Sequence, residues 1–171
     1  MKKQTNIMVW LAAVVSSILL IAFDQFTKNL AVSHLKEQAD IPILKGIFEL
    51  SYVENRGAAF GMMQNKQGFF LIMTAVVLIG IFWLYYKIPL DKRYFPLRAV
   101  LVLLTSGAIG NFIDRASQNY VVDFFYFKLI DFPVFNVADI YVVVSVFCLA
   151  FLILFYYKEE EFDEILKVGK R

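Results

Sequence analysis

Cysteine, histidine and charge are all scarce in this chain, and each scarcity closes off a class of function. Cys148 is the single cysteine and stands inside an apolar run, which excludes intrachain disulfides and cysteine-based metal sites. His34 is the single histidine and lies in a polar stretch, and one histidine without a usable cysteine does not make a zinc site. Neither a metal nor a cofactor is expected. Charged residues make up 19% of the chain, against about 25% in ordinary globular domains. No basic stripe or aromatic–basic platform is present, so nucleic acid is not an expected partner. The net charge of +2 adds little, and there is neither an internal repeat nor a low-complexity tract.

Apolar residues are plentiful, at 60% of the chain against about 45–50% in a typical soluble domain. A chain of 171 residues lacks the volume to hide that much Phe, Leu, Ile and Val in a water-soluble core, whereas a bilayer accepts it. Four runs carry the excess: residues 7–23, broken only by Ser16 and Ser17; residues 68–86; residues 99–113, with Thr105, Ser106 and Asn111; and residues 140–157. A span needs about 20 residues and no fewer than about 17, so the third run must borrow its neighbours. In lipid only helices or closed barrels satisfy the backbone, and continuous runs of this length argue for helices. The chain therefore reads as an all-α polytopic membrane protein of one domain over 1–171, with spans near 7–28, 68–86, 97–114 and 137–157. Lys2 and Lys3 give the first run the look of a signal peptide. No small-x-small cleavage site follows, however, and the run ends in Phe23-Asp24-Gln25, so it is better read as a retained first helix.

Four spans put both termini on one side. With the termini fall Lys2, Lys3, Lys87, Lys92, Arg93, Arg98, Lys158, Lys167, Lys170 and Arg171; opposite them fall Lys28, Lys36, Lys45, Arg56, Lys66, Arg115 and Lys128. The basic majority places both termini in the cytoplasm. Between the first two spans, Ile41-Pro42-Ile43-Leu44 and Phe48-Glu49-Leu50-Ser51-Tyr52-Val53 flank Gly46, and Gly57 and Gly61 suit turns. This pattern predicts a small extracytoplasmic β-sheet within residues 41–64. The mixed-charge tail, residues 158–171, reads as a frayed amphipathic helix or as disordered.

On this topology the unusual polar residues gather at one membrane face. Asp24 and Lys28 end the first helix, and Asn55, Arg56 and Gly57 lie in the first outer loop. Asn111, Asp114 and Arg115 end the third helix, Asp123 lies in the second outer loop, and Asn136 and Asp139 open the fourth helix. Each has a plain structural reading: Asp24 and Lys28 as an i,i+4 pair, and Asn136 and Asp139 as a cap and a first-turn acid. Together they ask for more. Gly107, Asn111 and Asp114 share one helical face inside a span, where polar groups are costly unless buried against protein. The small residues Gly107, Ala108 and Gly110 let a neighbouring helix approach closely. Asp123 and Asp139 both sit in apolar surroundings, where desolvation and mutual repulsion would separate their pKa values into one acid and one base. An aspartyl hydrolase has that requirement. A proton-coupled transporter and a scaffold with incidental polarity are the alternatives. The cytoplasmic halves of the spans hold no Asp, Glu, His or Lys, which disfavours an ion path.

Five segments, in order, carry a resemblance. They are Asp24-Gln25-Phe26-Thr27-Lys28, Asn55-Arg56-Gly57-Ala58-Ala59-Phe60, Gly107-Ala108-Ile109-Gly110-Asn111-Phe112-Ile113-Asp114-Arg115, Val121-Val122-Asp123-Phe124 and Phe135-Asn136-Val137-Ala138-Asp139. Over nearly its whole length the chain resembles lipoprotein signal peptidase, the aspartyl peptidase of bacterial cytoplasmic membranes also called signal peptidase II. The segment between Asp123 and Asp139 is on the short side. The resemblance implies that Asp123 and Asp139 are the catalytic pair. It also implies that Asp24, Lys28, Asn55, Arg56, Gly57, Asn111, Asp114, Arg115 and Asn136 support the pair or bind substrate. The implied substrate is a diacylglyceryl-modified prolipoprotein, cut just before its lipidated cysteine at the outer-leaflet side. The chain is expected to act as a monomer among membrane lipids.

Overall fold

The structure, a computed structural model, describes residues 2–57 and 66–167. Gly61, the motif residues Ala58, Ala59 and Phe60, and the tail beyond Lys167 lie outside the described residues. The chain runs α1 (Lys2–Leu35), β1 (Ile41–Leu44), β2 (Phe48–Asn55), α2 (Gln67–Lys87), a 3₁₀ turn (Lys92–Tyr94), α3 (Phe95–Gln118) and β3 (Val121–Tyr126). A second 3₁₀ turn (Lys128–Ile130), α4 (Val137–Phe151), a π-helical turn (Leu152–Tyr156) and α5 (Glu159–Lys167) complete it.

Among the described residues, four helices are long and apolar enough to cross a membrane. The 21 residues of α2 rise about 30 Å, the thickness of a bilayer's hydrocarbon core. Their apolar faces point outward: Ile79 is 70% exposed, Phe147 72% and Leu154 70%. Water would reject such a surface and lipid accepts it, so the molecule is a multi-pass membrane protein. α1 continues seven residues past the expected end of the first span because its last two turns have a partner. Ala31 and Leu35 are buried in a cluster with Val122, Phe124 and Val137, so the helix runs on beneath the sheet.

α3 is the central helix and packs against α1, α2 and α4. Its glycines set how closely its neighbours lie. A Cβ on Gly107 would sit 2.5 Å from the Ala138 carbonyl oxygen on α4, and one on Gly110 would sit 2.6 Å from Asp24 Oδ2 on α1. Close helix approach at small residues is the usual packing mode in membranes.

The three strands form one antiparallel sheet in the order β1-β2-β3 at one end of the bundle. Val53 pairs with Asp123 and Asn55 with Val121, after a register shift between Leu50 and Val53. Gly46 takes φ +76° in the β1–β2 turn, a conformation that favours glycine. The strands expected within 41–64 are there, but the third comes from the connection between α3 and α4. Val121 through Phe124 are all buried, so this strand is covered on both faces and lacks the alternation that marks a half-exposed one.

At the opposite end the tail forms α5 over Glu159–Lys167. α5 folds back so that Ile165, 1% exposed, joins Ile81, Leu97, Leu101 and Leu152.

Candidate active site

The polar cluster begins with one ammonium group. Lys28 on α1 is buried, and its Nζ has three acceptors, each at 2.9 Å: Asp24 Oδ2 one helical turn back, Asp114 Oδ2 on α3, and Asn111 Oδ1 on α3. An ammonium carries three protons and accepts nothing, so this set uses it fully. Asp24 Oδ1 accepts from the backbone N–H of Ala138 at 2.8 Å, in the first turn of α4. Asp114 Oδ2 also accepts from the N–H of Val122 on β3 at 3.3 Å. The charges thus tie α1, α3, α4 and β3 together. Gln25 completes the tie, its Nε2 donating to Asp114 Oδ1 at 2.9 Å and to the Gly110 carbonyl at 3.2 Å. Gln25 stood in a matching segment but not among the expected site residues. Nothing in an isolated glutamine at a helix end announces a bridge to a residue 89 positions away.

From this anchor, side-chain amides lead to two carboxylates. Asn111 Nδ2 donates to Asp139 Oδ1 at 2.8 Å. Asn136 caps α4 reciprocally: its Oδ1 accepts from the N–H of Asp139 at 2.9 Å, and its own N–H donates to Asp139 Oδ2 at 3.1 Å. Asn136 Nδ2 donates to Asp123 Oδ1 at 2.6 Å, with Asn111 Oδ1 and the Val122 carbonyl also in reach at 3.1 and 3.3 Å. Asn55, two residues along β2 from Val53, the ladder partner of Asp123, donates to Asp123 Oδ2 at 2.9 Å and accepts from the N–H of Gly57 at 3.0 Å. One residue, Asn136, therefore holds both Asp123 and Asp139.

The two carboxylates open on a cavity of about 580 Å³. Asn55, Gly57 and Arg115 line it beside them, and Phe127, Ile130, Phe132, Phe135, Val143 and Val144 make the rest of its wall apolar. Asp123 is only 1% exposed. Its pKa is pushed up to about 7, first by burial and then by the negative charge of Asp139, against the donors Asn55 and Asn136 and the charge of Lys28. Arg115 lies over the Phe70 ring at 5.0 Å, and its Nε is buried with no protein partner. Arg56 stands apart from the carboxylates. It is exposed, paired with Glu54 at 3.2 Å and placed over Tyr120, and only its carbonyl, which accepts from Gln67 at 2.6 Å, braces the site's rim. Among the described residues, no group of three or more His, Cys, Asp or Glu side chains is placed to hold a metal ion.

An arrangement of two carboxylates, each fixed by amide donors at the mouth of an apolar cavity, suits water activation by a shared-proton pair. Comparison with known proteins identifies a family. The family described as signal peptidase (SPase) II matches residues 16–155. The lipoprotein signal peptidase of Caldanaerobacter subterraneus subsp. tengcongensis is 46% identical over 144 residues, covering 81% of this chain and 96% of that protein. That of Clostridioides difficile is 44% identical over 139 residues, covering 81% and 92%. A solved structure described as a bacterial membrane enzyme superposes with a TM-score of 0.74 at 28% identity, covering 86% of this chain and 92% of the other. With the family matched across most of its length, the chain belongs to the signal peptidase II family, the lipoprotein signal peptidases, which are membrane aspartyl proteases.

Proposed function

We propose that the chain removes signal peptides from diacylglyceryl-modified prolipoproteins by cutting the amide bond just before the lipidated cysteine, with Asp123 and Asp139 as the catalytic pair. The observation that carries this reading is the joint hold of Asn136 on both carboxylates at the edge of an apolar cavity. One carboxylate, ionised, takes a proton from a water held between the two. The other, protonated, polarises the scissile carbonyl and later returns a proton to the leaving amine. The pair works as one titrating unit, with no covalent intermediate. Arg115 and Asn55 line the same space, beside the substrate backbone. Phe127, Ile130, Phe132 and Val143 offer lipid tails an apolar wall, and each methylene buried there contributes about 0.8 kcal/mol. Binding energy gained away from the scissile bond orients it.

The rest of the reading follows from this chemistry. The whole chain acts as one membrane-embedded domain in a bacterial cytoplasmic membrane, as a monomer among lipids. Both termini face the cytoplasm, and the sheet and the carboxylate pair lie at the outer-leaflet side, where a signal helix ends. Truncation fusions after Gly46 and after Lys167 should report opposite sides of the membrane. The deciding experiment is cleavage of a purified prolipoprotein in detergent, with and without its diacylglyceryl group. Cleavage only of the lipidated form, at the bond before cysteine, is expected; equal cleavage of both forms would reject the lipid-reading role of the cavity.

A further inference from the structure

We propose that Lys28 is a positioning residue for the reaction: its ammonium fixes the Asn111 amide with oxygen inward and NH₂ toward Asp139, and so directs the donors that face the catalytic pair. This rests on the reading of Asp123 and Asp139 as that pair. Lys28 touches neither of them and acts through Asn111.

The argument is one of hydrogen-bond direction. Amide oxygen and nitrogen are nearly the same size, so which one faces a neighbour is settled by what that neighbour can do. The Lys28 ammonium can only donate, and it lies 2.9 Å from Asn111 Oδ1. The Asn111 nitrogen must then face the other way, where it meets Asp139 Oδ1 at 2.8 Å. An Asn111 turned round would set NH₂ against ammonium and oxygen against carboxylate, two repulsions in place of two bonds. Asn136 supports the same sense. Its oxygen is committed to the N–H of Asp139, so its nitrogen is left for Asn111 Oδ1 and Asp123 Oδ1. All four oxygens of the pair thus accept from fixed donors: Asp139 from Asn111 and the Asn136 backbone, Asp123 from Asn136 and Asn55. Donors of this kind favour the ionised carboxylate that must take a proton from water.

The position of Lys28 is held by its other two bonds, to Asp24 and Asp114. The charged and titratable groups gathered here are Asp24 and Lys28 on α1, Asp114 and Arg115 on α3, Asp123 on β3, and Asp139 with Tyr141 on α4. A simple loss of Lys28 would change both their charge balance and the amide direction.

The test separates the two by holding charge constant. In an Asp114→Asn background, Lys28→Gln keeps a donor for Asn111 Oδ1, whereas Lys28→Met removes it; the two double variants carry the same charge. The readout is kcat against pH in single-turnover cleavage, with melting temperature as the check on folding and Asp139→Asn as the control. The acid limb of the Met variant should lie about one pH unit above that of the Gln variant, giving roughly tenfold slower cleavage below the limb. Coincident limbs, with only a uniform difference in rate, would overturn the proposal and leave Lys28 a structural anchor. A cleaving Asp139→Asn protein would instead remove the catalytic pair on which the proposal rests. The wild type supplies a measurement that needs no variant at position 28. The Asn111 side-chain NH₂ resonance should shift with the same titration as kcat, and a resonance indifferent to pH across that limb would also overturn the proposal.

Discussion

At the sheet end of the bundle, Lys28 meets Asp24 and Asp114 with all three side chains at most 5% exposed. At the tail end, Arg93 meets Glu161 at 2.8 Å with side chains 37% and 22% exposed, and its guanidinium lies over Tyr156 at 4.0 Å. Both are charge clusters that hold elements together, yet they differ in kind. The tail-end pair clasps α5 to the neighbouring turn, and its members remain open to screening by water and salt. The sheet-end cluster joins three helices and a strand, and through Asn111 its ammonium is linked by hydrogen bonds to Asp139 and to Asn136, which holds Asp123. Burying charge in an apolar setting is costly unless each charge is fully partnered. At the tail end the buried charge of Arg98 is met by the carbonyls of Pro89 and Asp91, whereas the end with the carboxylates buries an ammonium together with two carboxylates.

The comparison is sharpest at the carboxylate pair. Asp123→Asn and Asp139→Asn should each slow single-turnover cleavage by about 10²–10⁴-fold or more while leaving the fold intact, and the double variant should be little worse than either single one. Substantial cleavage by either would remove the pair from its role. The same Asp123 variant has a stability signature. A carboxylate whose folded pKa is raised to about 7 binds its proton more tightly when folded, so it lowers stability progressively as pH rises from the ordinary Asp range to about 7. The melting temperature of Asp123→Asn relative to wild type should therefore climb across that window. Part of the gain is offset because the new NH₂ faces a donor, a loss of about 1 kcal/mol. A pH-independent difference would contradict the raised pKa.

Asp114→Ala comes next. It leaves buried Lys28 short of one carboxylate and should cost about 3–5 kcal/mol of stability, with activity falling alongside. A variant that stayed fully stable and bound substrate normally yet did no cleavage would instead place Asp114 in the chemistry. Smaller again is the contrast between two glycines. Gly110→Ala drives a methyl into Asp24 Oδ2 and should destabilise by about 1–3 kcal/mol, whereas Gly80→Ala meets nothing within 4 Å and should be neutral or slightly stabilising. Equal melting temperatures for these two would show that α1 and α3 are not pressed together at Gly110. The smallest effect belongs to the tail end. Glu161→Gln should lower the melting temperature slightly, the change should fade in high salt, and cleavage should be untouched.

Much of the site was legible in the sequence because it sits on helices. Asp24 and Lys28 are four apart, Asn111 and Asp114 three apart, and Asn136 and Asp139 three apart, so each pair falls on one helical face before any tertiary contact is known. The four spans were legible from uninterrupted apolar runs, and the first two strands from their flanking glycine and partial alternation. What escaped depends on contacts distant in the chain. β3 is covered on both faces and shows no period; α1 runs on to Leu35 only because the sheet covers its end; Gln25 reaches across to α3. Pairwise spacing likewise gave no hint that the exposed arginine at 56 would turn to Glu54 while the one at 115 lines the cavity.

Asn136 is at once the cap of α4 and the residue that holds both carboxylates. Helix ends fray more readily than helix middles, and the first turn opens when its cap lets go. Here one such opening would withdraw a donor from Asp123 and another from Asp139 in the same event. Asp139 would keep Asn111 and Asp123 would keep Asn55, so the two carboxylates would loosen together without being released. The geometry of both carboxylates is thereby tied to the start of one helix.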